Sequence, residues 1–247
     1  MKYKEFGDET NPTILLLHGE WLSWWSFKDI IDFLKTDYHI VAPIIDGHGE
    51  DSETTFLSIQ ESAQRIIQYI DANLQGKVFA ICGVSLGAQI VIEILSKRVG
   101  IAKYAVVEST LVVPNKRPFE IRTIAARLVL ALIHQKWLAW LFSKKLCVSP
   151  ETFLQYYQDS QNISYASWIN IEKSRTHYVA PSTLSKSDTK VLIIIGSKEI
   201  KAMDKSVRLL MNGIPQSRVC IVPEMRHGEL SLAHCTEYLA LIQYCMT

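Results

Sequence analysis

Glycine and proline are scarce in this chain, 11 and 8 among 247 residues. That excludes a collagen-like repeat and a Pro/Gly-rich disordered polymer. No sign of charge dominates, because 26 Lys and Arg face 25 Asp and Glu. A nucleic-acid-binding surface is therefore not expected. The five cysteines, Cys82, Cys147, Cys220, Cys235 and Cys245, include no C-x-x-C pair, which argues against a zinc ribbon or a redox dithiol. Met1 to Glu5 contains no apolar segment of the signal-peptide kind, so a cytoplasmic protein with reduced thiols is expected. A long uncharged apolar run is also missing. Residues 121–142 (IRTIAARLVLALIHQKWLAWLF) are interrupted by Arg122, Arg127, His134 and Lys136. They fall short of the roughly 18 uncharged apolar residues of a membrane span. A buried or lid helix is expected there, with no stable membrane insertion.

What the chain does have is apolar material, 48% of its residues, enough to offset chain entropy in a folded core. It falls into short runs that end in turn residues. The runs cover 13–18 (TILLLH), 39–45 (HIVAPII), 78–84 (VFAICGV), 103–108 (KYAVVE), 190–195 (KVLIII) and 218–222 (RVCIV). Continuous, β-branched runs of this kind read as strands covered on both faces. Helix-period segments lie between them, at 57–74, 86–97, 203–211 and 230–244. Alternation of strand and helix predicts an α/β fold with a mostly parallel sheet, and chemistry at the carboxyl ends of its strands. The rhythm stops between residues 111 and 187, where helix formers and aromatics replace strand signals. Seventy-odd residues are too many for a loop. An inserted helical cap over residues 111–187 is expected, with 1–110 and 188–247 forming the core.

Three turns carry chemistry. Gly83-Val84-Ser85-Leu86-Gly87 follows a predicted strand and opens a predicted helix, the context of a nucleophile elbow. A serine hydroxyl needs a base, and the base needs an orienting acid. His227 stands between the last predicted strand and the last helix, at the same sheet edge as Ser85. The acid belongs between them in chain order: Glu199 follows the 190–195 strand, Asp204 is the alternative, and Glu108 is a third candidate. The tetrahedral intermediate of acyl transfer needs two backbone donors. Leu86, next to the serine, and Glu20, in the His18-Gly19-Glu20 turn, are the candidates.

The ordered set His18-Gly19, Gly47-His48-Gly49, Gly83-x-Ser85-x-Gly87, Gly196-x-x-Glu199 and Arg226-His227 resembles the α/β-hydrolase superfamily, in its serine-hydrolase, esterase- or lipase-like branch. The resemblance covers almost the whole chain. It implies Ser85 as nucleophile, His227 as base and Glu199 as acid, on a mostly parallel sheet between helices, with no metal or organic cofactor. The chain departs from the pattern in having Glu199 where the family more often has Asp, and Arg226 where it more often has Gly before the histidine. Serine at the elbow argues against the branches that place Asp there.

The expected activity is cleavage of small to medium carboxylic esters through an acyl-enzyme on Ser85. Thioester or C–C bond cleavage of an anionic substrate by the same triad is the alternative, since a fold hosts many reactions. A slow-turnover ligand sensor is a third reading. Residues 111–147 carry Lys116, Arg117, Arg122, Arg127, Lys136, Lys144 and Lys145 against the single acid Glu120. That excess fits either a solvated face or attraction of an anionic substrate or membrane surface. Trp21, Trp24, Trp137 and Trp140 are candidate walls of an apolar acyl pocket. A monomer or a homodimer is expected, with a small ester as the partner.

Overall fold

The computed structural model describes residues 1–114, 119–199 and 201–246, with the side chains of 119–123 and 125–126 also outside the description. Seven strands form one sheet: β1 (Lys2–Phe6), β2 (Thr13–Leu17), β3 (His39–Ile44), β4 (Val78–Val84), β5 (Ala102–Glu108), β6 (Lys190–Gly196) and β7 (Ser217–Val222). Their order across the sheet is β1-β3-β2-β4-β5-β6-β7. Only β1 is antiparallel, pairing Lys2 with Ile44 and Phe6 with Ile40 on β3. After the edge strand β1 the chain enters β2 near the middle, steps out to β3, crosses back to β4 and proceeds to the far edge. Loops after β2 and β4 leave a crevice between neighbouring strands at their carboxyl ends, where such sheets bind ligands.

The apolar runs are explained by two covered faces. Leu15, Leu17 and Ile81 point to one face and Ile14, Leu16 and Ala80 to the other, all fully buried. The first face is packed by α2 (Ile59–Asn73) and α3 (Leu86–Lys97), through Ala63, Ile66, Ile70, Ile90 and Ile94. The second is packed by α1 (Lys28–Leu34) and α10 (Cys235–Met246), through Ile31, Leu34, Tyr238 and Ile242. Each such side chain contributes about 1.5–3 kcal/mol when removed from water. Ser58 starts α2 by accepting a hydrogen bond from the Glu61 amide at 3.1 Å, a serine N-cap.

Four helices are inserted between β5 and β6: α4 (Phe119–Ile133), α5 (Lys136–Lys145), α6 (Phe153–Gln161) and α7 (Tyr165–His177). The insertion is tied to the core by side chains that satisfy loop backbone. Ser167 Oγ accepts from Phe56 N at 3.1 Å, Ser174 Oγ accepts from Ile59 N at 3.0 Å, and Trp25 Nε1 donates to Asp159 at 2.7 Å. After β6 come α8 (Lys201–Gly213), then β7, the short α9 (Glu229–Ala233) and α10. The helix read as continuous over 230–244 is therefore two helices, with His234 at the break in a non-helical conformation (φ −127°, ψ 61°). Among the described residues, no helix is long and apolar enough to cross a membrane.

Candidate active site

Ser85 occupies the junction of β4 and α3 with φ 53° and ψ −112°. A non-glycine residue there carries strain of order 1–3 kcal/mol, maintained only by well-fixed surroundings. The surroundings are specific. The Ser85 amide donates to Glu108 O on neighbouring β5 at 2.9 Å. A Cβ on Gly87 would lie 2.2 Å from the Leu17 carbonyl oxygen, and one on Gly83 would lie 2.7 Å from the Gly87 backbone. Both glycines are therefore required by close backbone approach, which lets α3 start directly behind β2. The Ser85 hydroxyl is held above the sheet edge at the amino end of α3.

His227 reaches it from the loop after β7. Its Nε2 lies 2.9 Å from Ser85 Oγ, and its Nδ1 lies 3.0 Å from Glu199 Oε2. An ionised carboxylate only accepts, so the imidazole proton belongs on Nδ1 and the Nε2 lone pair faces the serine O–H. Glu199 is buried, with its side chain 2% exposed against 52% for the histidine. The other oxygen of Glu199 accepts from Gly196 N and from Ser109 Oγ, each at 2.8 Å. Ser109 Oγ in turn accepts from Gly228 N at 2.9 Å, next to the histidine. One hydroxyl at the end of β5 thus links the loop of Glu199 to the loop of His227.

Its neighbour Glu108 extends the link. The buried carboxylate accepts from Leu230 N and Ser231 N, both at 3.1 Å, at the amino end of α9. Burial, with Glu199 nearby, raises its pKa to about 7 despite these bonds. The end of β5 therefore fixes the segment 228–231 at three amides.

The turn after β2 lies against the serine. A Cβ on Gly19 would stand 3.7 Å from Ser85 Cβ. His18 braces this turn: its Nε2 accepts from Ile45 N at 3.0 Å, and its Nδ1 donates to Gly19 O at 2.8 Å. Burial, reinforced by His48, lowers its pKa to about 3, so the ring is neutral. The side chain of Glu20 faces Arg175 of α7, with Oε2 2.8 Å from Nε, and Arg175 also bonds Glu172. This ion pair joins the turn to the inserted helices.

Ser85, His227 and Glu199 open onto a cavity of about 540 Å³. Its apolar wall includes Trp21, Leu111, Phe142, Tyr156, Trp168 and Met203. Trp21 packs on Trp168 with ring centroids 4.5 Å apart. Glu20, Arg175, Lys145 and Arg226 add charge to the lining. Among the described residues, no group of three or more His, Cys, Asp or Glu is placed to hold a metal ion.

The structure separates the sequence candidates. It brings together Ser85, His227, Glu199, the Leu86 and Glu20 turns, and Trp21. Asp204 is exposed in the first turn of α8, where a carboxylate serves the helix terminus, and it makes no bond to His227. Glu108 faces α9 and not the histidine ring. Trp24 is corrected as a pocket wall: it packs on Phe6 and bonds Glu50. Trp137 and Trp140 are 64% and 45% exposed on the outer side of α5, so they do not line the cavity either. Arg127 stacks against the exposed Tyr165. Lys116, Arg117, and the Glu120 and Arg122 side chains lie outside the described residues. Sequence reasoning missed Ser109 and Arg175. The position of Ser109 just past a strand was a usable signal, whereas Arg175 sits mid-insertion with none.

With this geometry in place, comparison with known proteins identifies the class. Residues 14–211 match the alpha/beta hydrolase family. The chain belongs to that family, and its seven-stranded, mostly parallel sheet with flanking helices is that fold. Among curated proteins it resembles an uncharacterised hydrolase of Saccharomyces cerevisiae, 42% identical over 65 residues, or 24% of this chain and 22% of that protein. It also resembles 1H-3-hydroxy-4-oxoquinoline 2,4-dioxygenase of Pseudomonas putida, 33% identical over 73 residues, or 29% of this chain and 28% of that protein. The matched segments span less than a third of either relative. Among solved structures, an alpha/beta hydrolase family protein of Desulfitobacterium hafniense superposes with a TM-score of 0.79 at 21% identity, covering 100% of both chains.

Proposed function

We propose that this chain is a serine hydrolase that cleaves carboxylic esters of small to medium acyl length through an acyl-enzyme on Ser85. The observation that carries the reading is the continuous relay Ser85–His227–Glu199, with links of 2.9 and 3.0 Å, at the floor of a largely apolar cavity. Ser85 Oγ attacks the ester carbonyl while His227 Nε2 takes its proton. Glu199 stabilises the imidazolium and keeps its orientation. The Leu86 amide, first in α3 and without an i−4 carbonyl to bond, and the Glu20 amide serve as oxyanion donors. His227 then protonates the leaving alkoxide, and the acyl group stays on Ser85. A water molecule, deprotonated by His227, attacks the acyl-enzyme, and the acid leaves as His227 returns that proton to Ser85 Oγ. In this reading, helices α4–α7 form the cap, and Trp21 with Trp168 and Phe142 shapes the acyl site.

The test is labelling with a fluorophosphonate, comparing wild type with Ser85→Ala, alongside a chain-length series of p-nitrophenyl esters. Labelling that depends on Ser85, with turnover favouring short or medium acyl groups, supports the proposal. A folded wild type that neither labels nor turns over refutes it. Arg175 and Lys145 in the lining favour one second reading, an anionic substrate cleaved by the same triad. Its signature is turnover of carboxylated esters or thioesters that falls as ionic strength rises.

A further inference from the structure

Helix α5 has two working sides. Ala139 and Ser143 are buried, and Phe142, Lys145 and Leu146 line the cavity of Ser85. The opposite side presents Lys136, Trp137, Trp140, Leu141 and Lys144 to solvent, at the i, i+3, i+4 and i+7 spacing of one helix face. Trp137, Trp140 and Leu141 are 64%, 45% and 50% exposed. Phe153 of α6 continues the patch, sharing a shallow open depression with both tryptophans. Trp137 and Trp140 stand side by side on it, both exposed to solvent. Contiguous apolar surface of this kind marks a site of interaction.

The charges select the partner. Lysines stand at both ends of the tryptophan ridge, and Lys144 Nζ sits 3.6 Å from the Trp140 ring centroid. On this face the charged residues of α5 are Lys136 and Lys144, and the helix itself carries no acid. A second copy of the chain would bring this basic face against itself, which Coulomb repulsion opposes. An anionic lipid surface meets both requirements. Tryptophan rings settle at the depth of the headgroups, and lysine ammonium groups reach the phosphates.

We propose that the outer face of α5, with Trp137, Trp140 and Leu141 flanked by Lys136 and Lys144, docks reversibly on anionic phospholipid surfaces. The same helix lines the cavity with its other side, so docking brings the cavity wall to within one helix diameter of the lipid phase. The ester chemistry proposed above then acts on substrates drawn from that phase. Docking itself does not rest on that chemistry, because it needs neither Ser85 nor turnover.

The experiment is vesicle co-sedimentation of the full chain, with phosphatidylcholine alone and with phosphatidylcholine plus phosphatidylserine. Ser85→Ala is run in parallel, and circular dichroism checks the fold of every variant. Expected are binding to the anionic vesicles only, a blue shift of tryptophan emission, and equal binding by Ser85→Ala. Trp137→Ser/Trp140→Ser should weaken binding more than tenfold. Each of Lys136→Gln and Lys144→Gln should cost about fivefold, the effect of one basic residue near such a surface. Absence of binding by wild type overturns the proposal. So does binding that is indifferent to lipid charge or survives the double tryptophan change. A lipid-free dimer abolished by Trp137→Ser would assign the patch to a second copy instead. Failure of ester turnover with intact vesicle binding would sink the hydrolase reading and leave this one standing.

Discussion

Ser109 offers a sharp test of how the relay is held. Its hydroxyl donates to Glu199 at 2.8 Å and accepts from Gly228 N at 2.9 Å. Ser109→Ala removes both bonds and adds no bulk. A hydrogen bond to a charged group contributes about 1.5–3 kcal/mol. If that loss falls on the transition state, kcat/KM drops about ten- to a hundredfold, with most of the fall in kcat. Backbone conformation supplies the control, because Ser109 has φ 55°. Glycine adopts that φ freely and alanine does not, so Ser109→Gly should be more stable than Ser109→Ala by roughly 0.5–1 kcal/mol. Activity should nevertheless fall alike in both, since both lack the hydroxyl. The assays are steady-state hydrolysis of a p-nitrophenyl ester and urea unfolding of the same preparations. Activity within twofold of wild type in Ser109→Ala would refute the argument. Activities that track the stability difference would show that the fold, and not the hydroxyl, had been measured.

Glu108 titrates near neutrality only in the folded protein, with its pKa raised by burial to about 7. The folded state then holds a proton that the unfolded chain releases above about 4.5, so this group's contribution to stability is lost as pH rises from 4.5 through 7. Glu108→Gln should flatten that slope in Tm measured across the interval. His18 acts in the opposite sense, lowered by burial to about 3. Stability should fall as pH drops below about 6.5, where unfolded histidine gains a proton and the buried ring does not. His18→Gln should shift the acid unfolding midpoint downward and lower kcat by loosening the Gly19 turn. Arg175→Met breaks the partly buried pair with Glu20 and should lower the unfolding free energy measured in urea by about 1.5–3 kcal/mol. Arg175→Lys should recover only part of this, lacking the planar fork. Gly87→Ala should fail to accumulate as folded protein, since its Cβ would lie 2.2 Å from a backbone oxygen.

The fold was legible because the five strands β2 to β6 are buried on both faces, and such strands write themselves as unbroken apolar runs, whereas β7 was read from its apolar residues although it exposes Arg218 and Ile221 at the edge. β1 was not, because Lys2-Tyr3-Lys4-Glu5-Phe6 is an edge strand whose alternation of charge hides it. The single helix read over 230–244 failed at His234, where an apolar spacing continues through a break in the backbone. At the site, spacing alone could not choose between Glu199 and Asp204. The choice is made by the turn after β6, which folds back on Met225 through the Lys198 amide at 3.0 Å and aims Glu199 inward. The tryptophans misled for a general reason. Aromatic content reports apolar area but not the side of a helix on which it falls, and α5 turns Phe142 inward and Trp137 outward.

The relay joins residues 142 positions apart in the chain, Ser85 and His227. Pairings of such long range form late, because the loop between them must close first. The histidine comes from the loop after β7, the edge strand at the far side of the sheet. Until that strand docks, an assembled elbow has no His227 beside Ser85. Recovery of Ser85 labelling during refolding should therefore trail the return of secondary structure, reporting the arrival of the last strand and not the collapse of the first.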